Sequence, residues 1–141
     1  MSIYSSDKLV IANPRLTVGV VDAIIQYAYG ALIEGKSFTN GSLIAQSLSQ
    51  FIAGSASSMV YVDILALGRA NNFVVQPLIG GAVNALVGGG LLKGWAHESM
   101  SKGFIKGLII NELAQGGIYA VDYANGTGVT GIPPKNKWYF F

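Results

Sequence analysis

The chain has no cysteine among its 141 residues. Disulfides and Cys-based zinc or iron–sulfur sites are thereby excluded. Charge is nearly as scarce: 11% of residues are charged, whereas 51% are hydrophobic and the mean hydropathy is +0.46. A typical soluble domain carries roughly 25% charged residues. A water-soluble fold of this composition would expose large apolar patches, which end in association or precipitation. Histidine is limited to His97, and one His cannot build a His-based catalytic metal site. No serine lies in a nucleophile motif. Gly88-Gly89-Gly90 ahead of Lys93 lacks the Gly-Lys-Ser/Thr ending of a phosphate loop. The sequence therefore predicts no enzymatic activity and no cofactor. The net charge is only +2, with no basic cluster interleaved with aromatics, so no nucleic-acid partner is expected. The first residues, MSIYSSDKLVIANPRL, lack a basic stretch followed by an apolar core, and no removable secretory signal is expected. Ser2 is not the glycine of a myristoylation signal, and no cysteine is available for prenylation. Attachment to a membrane would have to come from the chain's own spans.

Long charge-free runs are present. Ser37–Val62 and Ala70–Leu92 carry no charged residue, and Lys36, Asp63, Arg69 and Lys93 fall close to their ends. Both exceed the about 20 helical residues that cross a ~30 Å hydrocarbon core. The expectation is an all-α polytopic membrane protein in one domain, an antiparallel bundle of about four Gly-rich spans. They lie near 16–33, 42–67, 73–92 and 102–123, followed by an extended tail over 124–141. Pro14 and Thr17 suit the first helix start and Gly35 its stop, Asn40-Gly41 reads as a turn, and Pro77 sits where a missing N–H costs little. Lys and Arg divide five against four between the two ends, which sets no orientation. Val21-Asp22-Ala23 echoes Val83-Asn84-Ala85, and Val60-Tyr61-Val62-Asp63 echoes Tyr119-Ala120-Val121-Asp122. A duplicated two-helix unit gives such echoes, and so does chance in a small apolar alphabet.

Small residues recur at helical spacing. Ala45, Ser49, Ala53 and Ser57 form one stripe, Gly80, Asn84 and Gly88 a second, Gly81, Ala85 and Gly89 a third, and Gly103 and Gly107 open the fourth span. In lipid, helices associate through close backbone approach and interhelical hydrogen bonds, which such stripes permit. The stripes are expected to serve packing within the chain; homo- or hetero-oligomerisation is the alternative use. Polar residues also lie inside the spans: Asp22, Gln26, Gln46, Gln50, Asn84, Asn111, Glu112, Gln115 and Asp122. Asp22 and Glu112 are the candidates for an ion or proton site, since an ionisable group in the bilayer costs at least a few kcal/mol; the plainer alternative is pairing across the bundle, for instance with Lys106. The chain ends Lys135-Asn136-Lys137-Trp138-Tyr139-Phe140-Phe141. Trp138, Tyr139, Phe140 and Phe141 suit either the membrane–water boundary or docking into a partner.

Three functions follow as expectations. The first is a structural or assembly protein that ties a bilayer to the subunits of a protein shell or large complex, for which the internal membrane of a virion is one setting. The second is a small channel, holin-like pore or ion carrier that uses Asp22 and Glu112. The third is a soluble oligomer in which Met59–Leu67 and Phe73–Ile79 form strands, because short apolar runs are ambiguous by period.

Overall fold

The computed structural model of the chain describes residues 14–65 and 73–125. Within them the protein is all-helical. Helix α1 runs Pro14–Ala28 and widens into a π-helical turn over Tyr29–Ile33. Helix α2 spans Gly41–Met59 and widens over Val60–Leu65, and α3 spans Val75–Leu86 and widens over Val87–Leu91. A single turn, α4 (Lys93–Ala96), leads to the long α5 (Met100–Asn125). No strand occurs among the described residues. Val60–Leu65, one half of the strand alternative, is helical, and α3 opens two residues into the other half.

Local chemistry explains the ends. Gly35 takes a left-handed φ of 69° and lets Lys36 N–H return to the Gly30 carbonyl at 2.9 Å, which closes the first helix. Asn40 is more than a turn residue: its Oδ1 accepts from Leu43 N–H at 3.0 Å and caps α2. Asn40→Ala is expected to lower stability by about 1 kcal/mol, read from the midpoint of detergent-induced unfolding; an unchanged midpoint would show that α2 starts without this cap. Pro77 lies in the first turn of α3. His97 ends α4 at φ 53° and Ser99 Oγ accepts from Lys102 N–H at 3.2 Å, so the chain turns sharply into α5.

The four long helices form a ring in the order α1, α2, α3, α5, built from two tightly packed pairs, α1 with α2 and α3 with α5. The two pairs cross in the same way. A Cβ on Gly54 would lie 2.8 Å from Gly19 Cα and 2.6 Å from Asp22 Oδ2. A Cβ on Gly107 would lie 2.9 Å from Gly81 Cα and 2.8 Å from Asn84 Cβ. Gly19 faces the Phe51 carbonyl, and Gly81 faces the Phe104 carbonyl. The repeated unit is thus Gly19-Val20-Val21-Asp22 against Phe51-Ile52-Ala53-Gly54, matched by Gly81-Ala82-Val83-Asn84 against Phe104-Ile105-Lys106-Gly107. The echo around Asp22 and Asn84 belongs to this unit. The echo between Tyr61 and Tyr119 does not, because in this register Tyr61 aligns with Ala114.

The partition of side chains is the reverse of a water-soluble core. Among the described residues, fourteen polar or charged side chains are buried against ten hydrophobic ones, five of them alanine. Large apolar side chains face outward, with Leu91 85%, Leu32 75% and Ile64 72% exposed. Among the described residues one helix, Leu16–Ile33, is long and apolar enough to cross a membrane, with a mean hydropathy of 1.6; Val75–Leu91 is apolar but shorter. The other stretches fall below that measure because their serines, glutamines and charges are averaged with their apolar outer faces. A four-span arrangement is therefore not established by length and hydropathy.

Candidate functional site: a buried polar column

The interior of the ring is a column of polar side chains, and each side of the ring is bridged by it. Between α1 and α2, Gln26 Nε2 donates to Gln46 Oε1 and Gln50 Nε2 donates to Gln26 Oε1, both at 3.4 Å. Between α2 and α3, Ser49 Oγ donates to Asn84 Oδ1 at 2.5 Å and Gln76 Nε2 to Ser58 Oγ at 2.7 Å. Between α3 and α5, Asn84 Nδ2 donates to the Gly103 carbonyl at 2.7 Å. Between α5 and α1, Asn111 Nδ2 donates to Asp22 Oδ2 at 3.1 Å. Asp22, Gln26, Ser49 and Asn111 are fully buried.

One end of the column is charged. Gln46 Nε2 donates to the Ala96 carbonyl at 2.8 Å, and Gln46 Oε1 accepts from Lys36 Nζ at 3.3 Å and Lys106 Nζ at 3.4 Å. Lys106 Nζ pairs with Glu98 Oε2 at 3.0 Å and lies 5.8 Å from the centre of the Tyr29 ring. Lys36 also pairs with Glu34 at 3.3 Å. At the other end, Tyr61, Tyr119 and Asp122 are buried, and Phe73 meets Tyr119 edge-on with ring centres 5.1 Å apart.

The small-residue stripes line this interior. Ala45, Ser49, Ala53 and Ser57 are buried on α2, and Gly80, Gly81, Asn84, Ala85, Gly88 and Gly89 on the α3 segment. Gly103 and Gly107 are buried on α5. Cβ positions on Gly80, Gly88 and Gly89 would meet Asn111, Ser49 and Met100 respectively, so these glycines admit neighbours within the same chain. The two candidate acids are not alike. Asp22 is buried against Asn111, whereas Glu112, about 100° further round α5 than Asn111, is half-buried. Trp138, Tyr139, Phe140 and Phe141 lie outside the described residues.

Glu98 carries no signal in the sequence: it is buried where the chain turns at His97 into α5. Nor do Gly19, Gly54, Ser58 or Gln76 stand out on their own. The Gly19 and Gly54 positions were open to detection by comparison with Gly81 and Gly107, once the helix pairs are aligned.

Chemically, the column suits helix-to-helix cohesion and the holding of a small charge. His97 is exposed in a loop, and among the described residues no three His, Cys, Asp or Glu side chains group to hold a metal. An apolar groove of about 530 Å³ between Ile24, Tyr27, Leu32 and Phe38 opens outward. Comparison with protein families, with characterised proteins and with solved structures gives no match to this chain.

Proposed function

We propose that the chain is a small multi-pass membrane protein with a structural or assembly role, tying a bilayer to the subunits of a protein shell or large complex. The observation that carries this reading is the inverted partition, with polar side chains inside and large apolar ones outside. In water that surface would be costly, at about 25 cal/mol for each Å² of apolar area. In lipid it costs nothing, and the buried amides and hydroxyls supply the cohesion that the hydrophobic effect no longer provides. Membrane crossing by α2, α3 and α5 is part of the proposal: their buried amides and hydroxyls face the column, which lowers their average hydropathy without placing those groups in lipid.

Two measurements test it. After alkaline carbonate washing, the protein is expected to remain with the membrane; release into the supernatant would favour a soluble oligomer. Purified in mild detergent from its native source, it is expected to retain shell or complex subunits in fixed ratio. A monomer with no such partner would remove the structural role. A second reading, an ion or proton carrier, is favoured by the buried carboxyl of Asp22. It predicts flux in liposomes that is lost in Asp22→Asn.

A further inference from the structure

The repeated helix crossing provides an internal control for Asp22. Asn84 holds the matching position in the second helix pair, and both polar atoms of its carboxamide are hydrogen-bonded: Oδ1 accepts from Ser49 Oγ, and Nδ2 donates to the Gly103 carbonyl. A neutral amide therefore leaves no orphaned polar atom at that position. The first pair carries a carboxyl there instead, buried to 0% exposure. Its Oδ2 accepts from Asn111 Nδ2, but among the described residues its Oδ1 is buried without a hydrogen-bond partner, and so is Asn111 Oδ1. Two side chains already joined by one N–H···O bond thus each retain one orphaned oxygen. A single proton would satisfy both.

We propose that Asp22 is a proton-binding site in which Oδ1 takes up one proton from the aqueous phase and donates it to Asn111 Oδ1. The carboxylate becomes a neutral carboxylic acid, and the two groups close into a cyclic acid–amide pair with one N–H···O and one O–H···O bond. No other bond forms or breaks, and the buried negative charge is removed. Leaving that charge unpaired in a low-dielectric interior would cost several kcal/mol.

The surroundings favour a proton over a metal cation. The Gly19–Gly54 crossing fills the space on one side, since even a Cβ at Gly54 would stand 2.6 Å from Asp22 Oδ2. A bare metal ion needs several converging oxygens and a cavity, whereas a proton needs neither. Among the described residues, no counter-charge is supplied by the neighbouring helices. Helix α2 has no ionisable side chain from Gly41 to Met59. On α5, Asn111 is the residue that meets Asp22, and Lys106 is engaged with Glu98. The remaining ionisable residues of α5 are Lys102, Glu112, Tyr119, Asp122 and Tyr123, while the hydrogen bond that reaches the Asp22 carboxyl from α5 comes from Asn111. This inference is independent of any shell partner, so its failure would leave the structural role untouched.

The test is infrared spectroscopy of the full chain in lipid nanodiscs, with the aspartates carbon-13 labelled and the pH stepped from mildly acidic to alkaline. A carbonyl band of a protonated aspartic acid is expected. It should shift with the label, vanish in Asp22→Asn and persist in Asp122→Asn. In Asn111→Leu it should move to higher frequency, as the hydrogen bonds to it are lost. Circular dichroism of each variant checks that it is folded, and the wild-type label shift stands even if one variant is not. Absence of any such band across the pH range in which the protein keeps its helicity would overturn the proposal. So would loss of the band on adding sodium or potassium at fixed pH, which would identify a metal-cation site instead.

Discussion

Replacing Gly54 with alanine, the addition of one methyl group, is expected to break the α1–α2 crossing, whereas the same change at Gly116 leaves the protein intact. At Gly54 the new Cβ would meet the Gly19 Cα at 2.8 Å, and backbone cannot swing aside as a flexible side chain can. The helices must separate, which opens the contacts of Asp22 and Gln50 along the same face. Overpacking of this kind costs about 1–3 kcal/mol in ordinary cores, and the upper end applies where both sides are backbone. Gly107→Ala should behave alike in the second pair, where Gly81 Cα would be 2.9 Å away. At Gly116 nothing lies within 4 Å of the added carbon, and there the helix propensity gained is up to about 1 kcal/mol. Unfolding midpoints in mixed detergent micelles, followed by circular dichroism, should therefore fall for Gly54→Ala and Gly107→Ala and hold or rise for Gly116→Ala. A wild-type midpoint for Gly54→Ala would mean that the close crossing is dispensable.

The helical organisation was partly legible because turn formers stand between α1 and α2: Gly35 closes the first helix and Asn40-Gly41 opens the second, whereas Gly68-Arg69 lies outside the described residues. The stripes were legible as well, because i, i+4 spacing maps directly onto one helix face. The faces they meet were not legible, since a stripe names no partner. Ser49 opposite Asn84 and Asp22 opposite Asn111 depend on the ring order of the helices, which sequence spacing does not encode. The repeat was half legible. Val21-Asp22-Ala23 and Val83-Asn84-Ala85 share a register, but the link to the second helix of each pair differs in length. The matching Phe51–Gly54 and Phe104–Gly107 segments are therefore shifted relative to the first helices, and the superficial likeness of Tyr61 and Tyr119 pointed to a different alignment. Crossing ability was the hardest to judge. Averaged hydropathy weighs the polar inner face of α5 with its apolar outer face, and only the fold separates Ile105, Ile109 and Leu113, which face out, from Asn111 and Gln115, which face in.

The second large effect is expected at the charged end of the column, where Lys106→Met should cost about 3–5 kcal/mol, the range for removing one partner of a buried ion pair. The Glu98 side chain is only 2% exposed and its carboxylate lies 3.0 Å from Lys106 Nζ. Once the ammonium is gone, the acid has no escape to water, because Glu98 is held between α4 and the start of α5. The reverse change should be milder. In Glu98→Gln, Lys106 keeps Gln46 Oε1 and the face of Tyr29, and its long stem can carry the ammonium outward. The double variant Lys106→Met with Glu98→Gln removes both charges and should recover most of the loss, leaving a coupling between the two sites well above the 0–1 kcal/mol of an exposed pair. The four unfolding curves of this cycle distinguish a buried ion pair from a surface one. If Lys106→Met alone stays within about 1 kcal/mol of the wild type, Glu98 reaches solvent or headgroups and the end of the column is open.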